Sequence, residues 1–324
     1  MGDAVRNGTR DGNTTRELTA GEAGRLDAVL AGAFEDLSRA RVQRLIEGGF
    51  ARVNGEVARK STTVKEGDRL AVDVPEVSHE LVATGLSLPV LYDDRRLAAI
   101  NKPAGLAVHG APGDSTPSVA GWWLEQLGPK AAAAFDVERP GIVHRLDKDT
   151  TGVLLLARDP AAQAALSAAF EHRDTKKTYI AVIDGVPTQQ RAVVDAPIDR
   201  DPRDRTRMAV TTNGRPSRTE YEVLGGDGRQ ALVLLRPESG RTHQIRVHMA
   251  AIGYPVADDS VYGRKAPAGR QLLHAYQIEV PHPDGGRLTV TAPAPDDIAA
   301  AIRSLGLETL ASTYSAALPP TLEP

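Results

Sequence analysis

One short stretch constrains this chain more than any other. In GIVHRLDKDTTG (141–152), the groups His144, Arg145, Asp147, Lys148 and Asp149 stand between apolar residues, and the apolar run Val153–Ala157 follows at once. A polar loop feeding a buried strand is how a rigid scaffold presents reactive groups. A carboxylate among positive neighbours, as at Asp147, can act as nucleophile or base. The same pattern also fits a solvated charged turn.

A second cluster, ESGRTHQIRVH (238–248), reads as a strand running into a helix over Thr242–Ile252, stopped by Gly253 and Pro255. Three-residue spacing puts His243 and Arg246 on one face, with Ile245, Met249 and Ile252 on the core side. A helix start beside Arg241 and Thr242 offers N–H groups to a phosphate. A surface helix of mixed charge is the alternative. His144, His243 and His248 match no standard metal-ligand spacing, so no metal is expected.

Composition narrows the classes. The 324 residues are 41% hydrophobic and 25% charged, as in an ordinary globular protein, and no run reaches the ~18 apolar residues of a membrane span. Cysteine is absent, which excludes disulfides, thiolate zinc sites and cysteine nucleophiles. The first residues lack a signal-peptide core, so a cytoplasmic location is expected. Net charge is −3, against the basic balance common in nucleic-acid binders. The basic residues are nonetheless mainly arginine, 31 of 39, which suits bidentate phosphate contacts or simply reflects a GC-rich genome. Arg200–Arg218 holds six arginines against two aspartates, either an RNA contact or a solvated hairpin.

The chain divides by pattern. Residues 1–20 are polar and aperiodic and read as a disordered tail. Residues 21–75 form a small module: a helix around Leu26–Leu30, another around Leu37–Ile46 with Ser38 as N-cap and Gly48-Gly49 as stop, and a hairpin turning at Asn54-Gly55. A linker is expected at 76–88, a larger domain at 89–305 and a loose tail at 306–324. In the larger domain a buried strand is expected at Leu97–Asn101 and a helix at Ser118–Leu127. Asp159-Pro160 should start another helix, and strands follow near Tyr179–Ile183, Arg218–Leu224, Ala231–Leu235, Gln271–Val280 and Leu288–Thr291. Irregularly interspersed strands and helices argue for an α+β fold with a mostly antiparallel sheet.

Three segments in this order, LAAINKPAGLAVHG (97–110), GIVHRLDKDTTGVLLLAR (141–158) and PESGRTHQIRVHM (237–249), resemble the RluA/RluD family of RNA pseudouridine synthases. Residues 23–72 resemble the S4 RNA-binding module that often precedes them. The resemblance implies the pseudouridine synthase fold: a mixed, mostly antiparallel sheet with flanking helices and an RNA cleft, behind an S4-like α/β module. It implies isomerisation of uridine in RNA, a reaction that needs no cofactor. A monomer is expected, with RNA as its partner and no membrane.

Carried over residue by residue, Asp147 is the essential carboxylate. Arg145 is the arginine that enters the RNA stack, with His144 beside it. Tyr179 packs on the uracil, and Arg246 pairs with the aspartate through a planar fork that can hold a carboxylate bidentately. Arg241 and Thr242, and on the S4-like module Arg39, Arg41 and Arg44, fall where RNA contacts are expected. Large-subunit ribosomal RNA is the expected substrate, with transfer RNA, or a non-catalytic RNA-binding assembly factor, as alternatives. Thr151 and Ser239 exchange one hydroxyl residue for another relative to the family pattern.

Overall fold

The computed structural model describes residues 6–10, 13–34, 37, 39–75, 84–110, 116–132, 134–135, 140–263 and 269–323. Two compact units divide the chain, Met1–Glu80 with Pro129–Glu138, and Leu81–Gly128 with Arg139–Pro324. No helix among the described residues is long and apolar enough to cross a membrane.

The first unit carries β1 (Arg6–Arg10), β2 (Asn13–Thr19), β3 (Gly24–Arg25), α1 (Leu26–Ala33), α2 (Arg39–Glu47), β4 (Ala51–Val53), β5 (Glu56–Val57), β6 (Thr63–Val64) and β7 (Arg69–Pro75). A five-stranded sheet runs β1-β2-β7-β4-β5, and β3 pairs with β6. The expected hairpin is present: Asn54 and Gly55 have φ of 52° and 90°, the left-handed pair that a type I′ turn requires. Leu26, Leu30, Val42, Leu45 and Ile46 bury against Val64, Leu70 and Val72. Ser38, expected as the N-cap of α2, lies outside the described residues.

The expectation of a disordered segment over 1–20 is corrected where residues are described. β2 pairs antiparallel with β7 from Asn13↔Pro75 to Thr19↔Arg69. Leu18 packs on the core, the Thr15 hydroxyl donates to Asp73 at 2.7 Å, and the Arg16 guanidinium lies 5.5 Å from the Phe34 ring. The strand has only one aliphatic anchor, so its sequence shows no alternation. Its partner, some fifty residues on, supplies what local pattern lacks.

The second unit holds β8 (Val90–Asp93), β9 (Leu97–Lys102), α3 (Val119–Ala132, broken at Gly128), β10 (Thr151–Ala157), α4 (Pro160–Glu171), β11 (Lys176–Asp184), β12 (Arg191–Asp195), β13 (Ile198–Arg200), β14 (Met208–Val210), β15 (Arg218–Gly226), β16 (Gln230–Pro237), α5 (Gln244–Ala251), β17 (Leu273–Pro281), β18 (Arg287–Thr291), α6 (Asp296–Ser304), α7 (Glu308–Ser315) and β19 (Thr321–Glu323). Its main sheet runs β12-β15-β16-β11-β17-β10-β9-β8, with β18 on β17 and β19 on β18. Among the described residues, one pair of its strands is parallel, β10 with β17, at Thr151↔His274 and Gly152↔Ala275. The loose tail expected at 306–324 is therefore also corrected. Ala311 and Tyr314 of α7 are buried against the sheet, and β19 extends the β18 edge. Its signal was weak because Leu307, Leu310, Ala311 and Tyr314 become a face only once the helix docks.

β10 is buried along its whole length, which is why TGVLLLA reads as a continuous apolar run instead of an alternating one. Leu154 and Leu156 pack on one face with Trp122, Trp123, Ile142 and Leu146, while Val153, Leu155 and Ala157 pack on the other with α4. Further along the first face, α5 sets Ile245 and Met249 on Ala181, Ile183 and Leu235. Tyr179 touches both of these cores, so it lies at the seam between them. Asp159 caps α4 by accepting the Ala162 N–H at 2.9 Å, with Pro160 as the first helical residue.

Gly152 shows why the loop-to-strand junction admits no side chain. Its φ is 115°, and a Cβ there would sit 2.2 Å from the Ala275 carbonyl oxygen. Gly152→Ala should cost about 2–4 kcal/mol from backbone strain plus collision. Gly105→Ala, at φ 76° but with open space around it, should cost only about 1–2 kcal/mol. Denaturant midpoints of the two variants check this; equal losses would show that the contact with β17 does not matter.

Candidate active site

The loop between Gly141 and β10 is fixed by cations lying under it. Lys102, with none of its surface exposed, donates its Nζ to the carbonyls of Pro103 (2.8 Å), Leu106 (2.9 Å) and Lys148 (2.8 Å). All three ammonium donors are thus met, the condition for burying a charge. Burial pulls its pKa down to about 8, with Asp149 and Asp147 acting against the fall and Arg270 adding to it. Arg270, paired with Asp297 through Nε and Nη2, donates Nη1 to the Asp149 carbonyl at 3.0 Å. A turn from Thr150 N–H to the Asp147 carbonyl (3.1 Å) closes the loop.

Asp147 is thereby delivered to a cleft also lined by Arg145, Tyr179, Arg241, Thr242, His243 and Arg246. Arg246 Nη1 donates to Asp147 Oδ2 at 3.0 Å. Its planar fork is spent elsewhere: Nε and Nη2 reach Asp259 Oδ2 and Oδ1 at 2.7 and 2.9 Å. The expected bidentate grip exists, but on Asp259, while Asp147 receives one bond. Asp259 has no exposed surface, and it also accepts the Val261 and Tyr262 N–H groups at 2.9 and 3.1 Å. Burial alone would raise its pKa, but Arg246 and these backbone donors hold it below the usual carboxylate range. For Arg246 burial works downward, and the hydrogen bonds and charge of Asp259 outweigh it.

Two further side chains complete the cleft. The Tyr262 ring lies 5.2 Å from the Arg246 guanidinium, within cation–π range, and its hydroxyl accepts the Met208 N–H at 2.9 Å. The same hydroxyl meets His243 Nδ1 at 2.9 Å, while His243 Nε2 stands 3.9 Å from Asp147 Oδ2. His243 precedes α5 in a left-handed conformation, φ 56°, and burial depresses its pKa. Burial, and then the Asp147 charge, push the Tyr179 hydroxyl well above the ordinary tyrosine value, so at neutral pH it keeps its proton.

Most of the residues expected from sequence converge here, with informative exceptions. His144 turns inward: its Nε2 accepts the Leu155 N–H at 2.9 Å and its ring stacks on Phe170 at 4.6 Å. Burial, helped by Lys177, lowers its pKa to about 3, so it is a neutral brace for β10. The N–H groups expected to be open at the start of α5 are partly used, since Gln244 Oε1 accepts both Arg241 N–H (3.1 Å) and the Ser239 hydroxyl (2.7 Å). In the first unit, Arg39 Nε is paired with buried Asp27 at 3.0 Å, and Arg41 and Arg44 are half-buried on α2. Asp259, Tyr262 and Arg270 were not legible, because no spacing links them to either polar cluster. Lys102 stood within a quoted motif, but as an ordinary lysine beside a turn.

The RNA pseudouridylate synthase model matches residues 96–251 and the S4 domain model residues 24–70. A protein of Chloroflexus aurantiacus named as an RNA pseudouridine synthase is 44% identical, over 87% of this chain and 90% of its own. The ribosomal large subunit pseudouridine synthase D of Nitrosomonas europaea is 40% identical, over 94% and 91%. Among solved structures, human RNA pseudouridylate synthase domain containing 4 superposes with a TM-score of 0.53 at 29% identity, over 67% of this chain and 93% of that one. This chain belongs to the RNA pseudouridine synthase family, whose members are isomerases.

The hydroxyl at Thr151 has a defined task. It donates to His274 Nδ1 at 2.8 Å, since Nε2–H of that ring is committed to the Ala292 carbonyl at 3.0 Å. Burial lowers the His274 pKa to about 4, against about 6.5 when unfolded. The stability carried by this neutral ring is complete above about pH 6.5 and drains as pH falls toward 4, at up to about 1.4 kcal/mol per pH unit. Urea midpoints between pH 7 and pH 4 should fall accordingly, and His274→Gln should remove that share of the slope.

Proposed function

We propose that this enzyme converts uridine to pseudouridine in large-subunit ribosomal RNA, in the cytoplasm, with Asp147 as its catalytic carboxylate. One observation carries the reading: Asp147 is delivered into a cleft beside a buried arginine at 3.0 Å, with Tyr179 lining the same cleft. The choice of ribosomal RNA rests on relatives named ribosomal large subunit pseudouridine synthase D. The S4 domain, only one charge positive over 23–74 (nine basic and eight acidic residues), would add modest phosphate contacts there.

The reaction breaks the N1–C1′ bond, turns the uracil, joins C5 to C1′, and moves the C5 proton away while N1 gains one. No group enters or leaves overall, and no electron is transferred. A buried uridine must first leave the stack, at a cost of a few kcal/mol. Arg145 is exposed and lines the cleft with Asp147, which supports a role in filling the vacated gap with its planar guanidinium. Asp147, held in aim by Arg246, then meets the sugar carbon or the ring as the glycosidic bond opens. Tyr179 packs against the uracil from the sheet side, and its hydroxyl, protonated at neutral pH, can take up the C5 proton only as it passes its own on, a relay that leaves the phenol as it began.

Incubating the protein with ribosomal RNA and mapping pseudouridine tests the whole reading. Asp147→Asn should melt like the wild type yet form no product. A rate within tenfold of wild type, about 1.4 kcal/mol in barrier, would reject Asp147 as the catalytic group.

Arg145→Ala should harm a structured RNA far more than one whose target uridine is already unpaired, by roughly the few kcal/mol of unstacking. If Arg145 only neutralised phosphate, both substrates would lose the same factor under single-turnover conditions.

A further inference from the structure

We propose that His243 is a further catalytic residue: its Nε2–H is a hydrogen-bond donor to the uracil of the reacting nucleotide, fixed in place by the Tyr262 hydroxyl. The inference rests on the reading of Asp147 as the catalytic carboxylate.

The proton positions follow from the bonds around Tyr262. A phenol oxygen has one hydrogen to give and lone pairs with which to receive. Here it receives the Met208 N–H at 2.9 Å and stands 2.9 Å from His243 Nδ1. No other acceptor for its hydrogen occurs among the described residues, so the hydroxyl donates to Nδ1. A neutral imidazole that accepts at Nδ1 carries its one hydrogen on Nε2. Burial depresses the pKa of this ring below the ordinary histidine value, so at pH 7 it is neutral. The backbone amide of Met208, on β14, thus sets the tautomer of His243 through one hydroxyl.

That Nε2–H is unspent. Asp147 Oδ2 lies 3.9 Å away, beyond hydrogen-bond reach, and no other acceptor meets Nε2 among the described residues. The side chain keeps 23% of its surface exposed and lines the cleft together with Asp147 and Tyr179. Its direction is held on two sides. The ring stands edge-on to Tyr262, with centroids 5.6 Å apart and planes at 77°. The backbone of His243 is left-handed, φ 56°, a strained conformation for a residue with a side chain and one that collects at functional sites.

The reaction gives such a donor a task. When N1–C1′ opens, its electron pair passes to the uracil and spreads over N1 and the carbonyl oxygens. Attack of Asp147 on the ring would likewise push electrons onto a carbonyl oxygen. An N–H already aimed there stabilises that charge as it forms. The proton stays on His243, so the ring ends the step as it began. Neutrality suits the place, because an imidazolium would pair with Asp147 instead.

Single-turnover rates and RNA affinity test the role. His243→Gln can set an amide N–H where Nε2–H stood and should stay within about tenfold of wild type. His243→Asn, whose amide reaches only the Nδ1 position, should fall about 100-fold with RNA binding unchanged. Sulfur accepts hydrogen bonds poorly, so 2-thiouridine or 4-thiouridine at the target should slow the wild type and leave His243→Asn no slower than it already is. Equal rates for the Gln and Asn variants, or wild-type turnover indifferent to both sulfur substitutions, would overturn the proposal. A His243→Asn loss that vanished on 2′-deoxyuridine would place the donor on the ribose and overturn the assignment to uracil.

The tautomer has a readout besides activity. In protein labelled with 15N-histidine, the His243 signals are assigned by their loss in His243→Gln. At pH 7 Nε2 should show the shift of a protonated nitrogen and Nδ1 that of a bare one, and Tyr262→Phe should remove this preference. The opposite tautomer, or a doubly protonated ring, would refute the proposal. An Asp147→Asn enzyme that still turned over would instead refute the catalytic reading, and the tautomer and sulfur effects of the wild type would still judge His243.

Discussion

A buried guanidinium is tolerable only when its donors are met, and breaking such a pair typically costs about 3–5 kcal/mol. Arg246 is met on two sides, by Asp259 behind it and Asp147 in front. This chain of carboxylate, guanidinium and carboxylate ties α5, the turn at 259–262 and the loop before β10 into one unit. It adds a polar tie to the apolar packing of α5 on the sheet and to the cations under the loop, and so fixes Asp147 and Arg246 against each other in the cleft.

The same logic holds the loop from below. Lys102 satisfies all its donors with backbone carbonyls, one of them from Lys148, and Arg270 reaches the Asp149 carbonyl. Cations bonded to carbonyls hold the loop without drawing on its carboxylates, and Asp147 spends one hydrogen bond, on Arg246. A site that must offer Asp147 to a substrate gains from being fixed through its backbone, because side-chain anchoring would consume the reactive group.

The sheet decides where the cleft opens. Two cores share one of its faces, the first with Trp122 and Trp123 and the second with α5, and Tyr179 belongs to both. At that seam Tyr179 lines the same cleft as Asp147, and burial raises its hydroxyl pKa, so it is protonated at neutral pH. The parallel pairing of β10 with β17 sets the loop exit, and it brings the strands so close at Gly152 that only glycine fits.

Sequence alone determined the strand Val153–Ala157, the cap and start of α4, the core stripe of α5 and the hairpin at Asn54-Gly55. Each of these is written in neighbouring residues, as an apolar run, a cap, a 3.6-residue period or a left-handed turn. The resemblance also pointed to Asp147, Arg145 and Arg246, which stand in long local motifs, and to Tyr179, which does not; the structure sets all four around one cleft. Tertiary structure decided what those residues meet. β2 is a strand because β7 lies beside it, and α7 is buried because the sheet receives it. His144 is a brace because Leu155 and Phe170 are near. Asp259 and Tyr262 join the site only through folding: an ion pair needs two groups at about 3 Å, and nothing in a one-dimensional pattern encodes the distance between residues that no shared helix or strand links.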